Sequence, residues 1–125
     1  MPYIAQGHAR HYGRFAGVNQ HCVALVRECA GLPHTANWRR GVPVRGSGCA
    51  PGTVVATFDP DGGYGNHVDG RSHACILLAE NKDGLLVCDQ WLGQPVHQRV
   101  IRYRNGRGNP INDGDAYHVV ELAEE

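Results

Sequence analysis

Five cysteines and eight histidines are many for so short a chain, and thiol with imidazole is a pair that can do nucleophilic chemistry. The thiolate is the reactive form, and an ordinary thiol of pKa about 8.5 is mostly protonated at neutral pH. The first turn of a helix favours the anion, because partial positive charge collects there. Cys22 has that position. It follows Asn19-Gln20-His21 and opens Val23-Ala24-Leu25-Val26-Arg27-Glu28-Cys29-Ala30, with Gly31 and Pro33 as a stop signal. Asn19 is the expected N-cap. Cys22, Val26 and Cys29 recur at i, i+4 and i+7, which places them on one helix face. Cys29 ends the helix, Cys49 falls in a loop, and Cys75 and Cys88 fall in expected strands.

A nucleophilic cysteine needs an imidazole within hydrogen-bond reach, held by a third polar group. His73 is the best placed of the eight histidines, because it opens the apolar run Ala74-Cys75-Ile76-Leu77-Leu78-Ala79. The next run, Leu85-Leu86-Val87-Cys88-Asp89-Gln90-Trp91, is interrupted by an acid. Asn81-Lys82-Asp83-Gly84 is turn chemistry and predicts a hairpin between the two. With that turn centred on Lys82, His73 is expected opposite a position close to 90, so Asp89 falls within about one residue of it. Taken singly, each of these residues has a bland reading: a packed thiol, a satisfied histidine, an edge acid. The joint order of helix cysteine, strand histidine and next-strand acid is far more specific.

The elements that must hold these residues form an α+β layout, one helix followed by an antiparallel sheet. Expected strands are Thr53–Phe58, His73–Ala79, Leu85–Gln90, Gln98–Tyr103 and Ala116–Leu122. The first 18 residues read as an irregular lead-in and His34–Pro51 as an ordered surface loop. The glycine-rich stretch Asp59–Ser72 reads as a loop bordering the site. At 125 residues, with no repeat and no linker, positions 1–125 make a single domain.

Composition narrows the function further. Twelve basic and twelve acidic side chains balance, which removes the field that would draw the chain to nucleic acid or an anionic membrane. Arg39, Arg40 and Arg45, and then Arg99, Arg102, Arg104 and Arg107, cluster locally. A solvated surface is the favoured reading of both clusters, with a substrate- or partner-facing patch as the alternative. No apolar run approaches the roughly 20 residues of a membrane span. The start, Met-Pro-Tyr-Ile-Ala-Gln-Gly-His, lacks the basic and apolar stretches of a signal peptide. Synthesis in the cytoplasm, where thiols stay reduced, is the expectation. A Cys75–Cys88 bridge is not expected, since the two point to opposite faces, and Cys29 and Cys75 read as core-packing residues.

The segments Gln20-His21-Cys22-Val23-Ala24-Leu25-Val26, Ser72-His73-Ala74-Cys75-Ile76-Leu77 and Asp89-Gln90-Trp91 resemble those of NlpC-type, papain-fold cysteine peptidases. Pro33-His34-Thr35-Ala36-Asn37-Trp38-Arg39-Arg40-Gly41 and Asn112-Asp113-Gly114-Asp115-Ala116-Tyr117 are similar to segments of proteins related to the type VI secretion amidase effectors. The similarity runs from about Gly17 to Glu121. It implies a cofactor-free hydrolase of amide bonds in peptidoglycan stem peptides or their crosslinks, acting in the periplasm of a rival Gram-negative cell. Carried over residue by residue, Cys22 is the nucleophile, His73 the base and Asp89 the orienting group. The backbone N–H of Cys22 and the side chain of Gln20 would form the oxyanion hole. Partners implied are peptidoglycan peptides, a secretion machine and a cognate immunity protein that inhibits the enzyme.

Two other classes compete. His8 and His11 have helical metal-ligand spacing, but no Cys-x-x-Cys occurs and no doublets have zinc-finger spacing. A non-enzymatic module binding cell wall or protein on the same fold is the other. Intact Cys22, His73 and Asp89 argue against it.

Overall fold

Three apolar runs, Val54-Val55-Ala56, Ala74-Cys75-Ile76-Leu77 and Leu85 to Cys88 (Leu86 only half-buried), are buried on both faces, as the central strands of a covered sheet must be. The computed structural model describes residues 3–122. Met1 and Pro2 of the expected lead-in, and the last three positions of the 1–125 domain, lie outside the described residues. Helix α1 (Cys22–Ala30) precedes strands β1 (Trp38–Pro43), β2 (Val54–Thr57), β3 (Ala74–Glu80), β4 (Gly84–Trp91), β5 (Gln94–Arg102) and β6 (Tyr117–Leu122). They form one six-stranded sheet in the order β1-β6-β2-β3-β4-β5, with every pairing antiparallel. The α+β layout expected from the sequence is therefore the one observed.

Side-chain alternation sorts the core into two clusters. On one face Leu25 and Val26 of α1 pack with Trp38, Val54, Ala56, Ala74, Ile76 and Cys88. On the other, Val55, Cys75, Leu77, Leu85, Val87, Ile101, Tyr117 and Val119 pack together, with Cys49 and Tyr103 against them. Cys29 belongs to the first cluster and Cys75 to the second. The two thus pack on opposite faces, and all five cysteines are free.

Several boundaries differ from the sequence reading, each for a physical reason. The N-cap of α1 is His21, not Asn19. Asn19 Oδ1 instead accepts from the backbone N–H of His21 at 2.9 Å, an Asx turn that spends its side chain before the helix begins. Cys22 is consequently the first helical residue. At the other end Gly31 caps as expected, with φ 66° and its N–H on the carbonyl of Arg27.

The surface loop expected over His34–Pro51 contains β1, an edge strand whose exposed Arg39 and Arg40 hide its β character. Its first residue, Trp38, is completely buried and donates its indole N–H to the carbonyl of Pro33 at 3.0 Å. Strand β5 begins at Gln94, four residues before the expected Gln98. Pro95 disguises that extension, but β5 is the opposite edge, where a missing backbone donor is tolerated.

Candidate active site

Helix α1 packs on β3 and β4, which brings Cys22 to the mouth of the β3–β4 hairpin. As the first helical residue, Cys22 has a backbone N–H among the donors that no helix carbonyl can satisfy. Its Sγ lies 3.8 Å from the hydroxyl of Tyr64. Burial pushes the thiol pKa up, but a hydrogen bond and charge from His73 outweigh it, helped by the Ala74 N–H and Tyr64. The net shift is downward, toward thiolate. Burial and the nearby Cys22 charge hold the Tyr64 phenol well above its ordinary pKa, so its O–H is the donor in this contact.

Thr57 fixes the backbone at His73. Its N–H donates to the His73 carbonyl at 3.0 Å, its Oγ1 accepts the His73 N–H at 3.0 Å, and its hydroxyl donates to the Arg71 carbonyl at 2.8 Å. The imidazole, 5% exposed, places Nε2 2.8 Å from Asp89 Oδ2. Nδ1 is thus the ring nitrogen left for Cys22. Burial acts to discharge the ring, but the hydrogen bond to Asp89 and the interactions with Cys22 raise its pKa to about 9. A lowered thiol beside a raised imidazole is the signature of a thiolate–imidazolium pair.

Asp89 reaches His73 by a diagonal. The register Ile76↔Cys88 and Leu77↔Val87 follows a bulge near Leu78; continued to the strand mouth, it sets His73 level with Trp91. Asp89 is therefore two residues from the cross-strand position, not the expected one, and spans the gap along a same-face diagonal. Its carboxylate is fully buried and also accepts from Arg99 Nε at 2.9 Å. Burial raises its pKa, yet His73 and Arg99 together hold it below the usual carboxylate range. His97 Nε2 lies 2.9 Å from Asp89 Oδ1, though off the direction of a hydrogen bond, so neither atom is formally satisfied by the other.

The structure thus brings Cys22, His73 and Asp89 together. Gln20 is exposed, and its Oε1 accepts from the Gly93 N–H at 3.1 Å, leaving the amide NH₂ as its free end. Among the described residues, no three His, Cys, Asp or Glu side chains are grouped to hold a metal ion, and no helix is long and apolar enough to cross a membrane. His8 and His11 occupy a short 3-10 turn.

Five contributors were not assigned a place at the site from the sequence. Arg99, grouped there with a surface cluster, pairs with Asp89 and lies over the Trp91 ring at 4.8 Å. His97 is the cross-strand partner of Asp89, one residue beyond the position that counting from the Leu92-Gly93 turn gives, because the register shifts between Asp89 and Trp91. Trp91 meets the His73 ring edge-on, 6.2 Å between centroids. Tyr64 is carried by the expected site-bordering loop and packs at a tilt against buried Trp38, 4.9 Å between ring centroids. Gln90, completely buried, ties the lead-in to β4: Oε1 accepts from Ala16 N–H, and Nε2 donates to the carbonyls of Ala16 and His21.

Of these five, Trp91 and Arg99 border a cleft of about 450 Å³ that Cys22, His73, Val68 and Leu92 also line. The Asp59–Ser72 loop forms one wall and is internally locked. His67 Nε2 contacts both Asp59 carboxylate oxygens, at 2.9 and 3.1 Å, and its backbone N–H donates to Ser72 Oγ at 2.8 Å.

Known proteins with the same pattern agree on the kinship. A family model described as Domesticated amidase effector 2 matches residues 3–120. A protein of Ixodes scapularis with the same description is 41% identical over 107 residues, covering 81% of this chain and 70% of its own length. The type VI secretion amidase effector 2 protein of Salmonella typhi is 34% identical over 97% of this chain and its full length. A solved structure of a type 6 secretion amidase effector 2 superposes with a TM-score of 0.78 at 30% identity, covering 97% of this chain and 96% of that one. The chain belongs to the domesticated amidase effector 2 family.

Proposed function

We propose that this chain is a cysteine amidase that cuts an amide bond in the peptide part of peptidoglycan. The observation that carries the reading is the line from buried Asp89 and His73 to half-buried Cys22, a thiol of lowered pKa that lines an open cleft. The names of the relatives, amidase effectors, support the same class.

Cys22 Sγ attacks the amide carbonyl carbon, and the carbonyl π electrons move onto oxygen. The Cys22 N–H, with the Gln20 amide as second donor, stabilises that oxyanion. His73 gives its proton to the departing amine nitrogen as the C–N bond breaks, leaving a thioester on Cys22 and a neutral imidazole. Water then attacks the thioester carbon while His73 takes its proton, and Cys22 leaves as thiolate. Asp89 holds the ring orientation and stabilises the imidazolium throughout.

Type VI secretion, named for the Salmonella relative, supports delivery by a secretion machine, action in the periplasm of a target cell and a cognate immunity protein in the producer. Purified stem peptides and their crosslinked dimers, incubated with the protein and resolved by mass spectrometry, test the reaction. A defined amide cut that disappears in Cys22→Ala is expected, and intact peptides would refute the reading. Cytoplasmic expression in a Gram-negative host should be tolerated and periplasmic export should lyse it. Equal toxicity from both compartments would point to another target.

A further inference from the structure

Arg99 holds more donors than its neighbours use. A guanidinium carries five N–H groups in a planar fork, and Arg99 spends Nε on Asp89 Oδ2 at 2.9 Å. The plane lies over Trp91, which fixes its tilt. Among the described residues no other acceptor meets its terminal NH₂ groups. Its side chain is 26% exposed and lines the same cleft as Cys22 and His73. That cleft also carries His21 and His67 and no Asp or Glu, although acids and bases balance over the whole chain. The cleft lining therefore presents the Arg99 guanidinium and neighbouring donors, and no carboxylate, where a substrate must lie.

We infer that Arg99 anchors a free carboxylate of the peptide substrate, on a residue next to the scissile amide. The outer edge of a guanidinium matches a carboxylate with two parallel hydrogen bonds. Asp89 and Trp91 hold that edge toward the cleft before substrate arrives, so little side-chain freedom is lost on binding. In the thiolate–imidazolium state, Cys22 and Asp89 offset His73 and Arg99, so the contact rests on the geometry of the Arg99 fork, whose terminal donors are left over after Nε has met Asp89. This deepens the proposed amidase reading and rests on it for the identity of the substrate.

The test uses two synthetic peptides that differ only in whether the carboxylate beside the scissile amide is free or converted to carboxamide. The wild-type protein should cut the carboxylate peptide with roughly tenfold or greater kcat/KM, mainly through KM, as expected for loss of a charge-assisted bidentate contact. In Arg99→Gln that preference should collapse toward one, while Arg99→Lys should keep part of it. Any damage transmitted through Asp89 lowers kcat on both peptides alike and cancels in the ratio. Equal cleavage of the two peptides by wild type, or an undiminished preference in Arg99→Gln, would overturn the assignment. Calorimetric binding of both peptides to Cys22→Ala reads the anchor without turnover. A preference there in a protein that cuts neither peptide would sink the hydrolase reading and keep the anchor.

Discussion

Gln90 and Ala16 exchange two hydrogen bonds across the sheet face, Ala16 N–H to Oε1 at 2.8 Å and Nε2 to the Ala16 carbonyl at 3.0 Å. A side-chain amide thus does for the lead-in what a neighbouring strand would do, and at His21 it reaches the residue before Cys22. Gln90→Leu leaves the Ala16 groups without partners. Unpaired buried groups of this kind cost about 1–3 kcal/mol, so a clear fall in melting temperature is expected. The rate of Cys22 alkylation at fixed pH should fall as well. An unchanged rate in a folded protein would make Gln90 a stability residue alone.

The pH dependence follows from the two shifts on the ion pair. Cys22 is lowered and His73 is raised to about 9. Turnover should rise with pH through the lowered thiol pKa, as thiolate forms, and fall near pH 9 as the imidazolium loses the proton the leaving amine needs. Asp89→Asn removes the charge that helps hold His73 up, so the alkaline limb should move to lower pH. The kcat/KM loss should be on the order of 10²–10⁴-fold, less than for Cys22→Ala. An alkaline limb that stays in place would remove Asp89 from its orienting role.

Thiol reactivity separates the five cysteines. Burial pushes the Cys88 thiol up to about 12 and the Cys75 thiol well above its ordinary value, and Cys29 is raised by burial and the nearby Glu28. Iodoacetamide at neutral pH should therefore modify Cys22 first, read by peptide mapping, and abolish hydrolysis in step. Faster labelling of Cys49 with activity retained would place the nucleophile elsewhere.

The meeting of Cys22, His73 and Asp89 was legible where it rested on local signals. A cysteine opening a helix, a histidine opening an apolar run and an acid inside the next run are each visible in a few consecutive residues. The register was legible to within a residue, because a bulge near Leu78 has no sequence mark of its own. What escaped depends on long-range neighbours. Strand β1 hid behind exposed arginines and the start of β5 behind Pro95, and with that start went His97, while Arg99 lay in an expected strand but was read with a surface cluster. The role of Gln90 needs the path of a lead-in that has no regular structure, and Tyr64 needs Trp38 beneath it.

Tyr64→Phe isolates the hydroxyl at 3.8 Å from Cys22 Sγ while keeping the ring on Trp38. A long, weak contact to a thiolate warrants less than about 1 kcal/mol, so kcat/KM should drop a few-fold and the acid limb should move slightly upward. A loss comparable to His73→Ala would promote the phenol to a direct part in the chemistry.

The Ala16–Gln90 tie joins positions 74 apart in the chain, and Cys22 and His73, brought together by α1 packing on β3, are also far apart in sequence. Contacts of such separation form late, because the closure entropy of the long loop precedes any gain from them. A chain emerging unfolded from any channel is thus inert until its central sheet is built. A fragment ending before β4 carries Cys22 and His73 but lacks Asp89, which pairs with His73 Nε2, and Gln90, the tie to the lead-in.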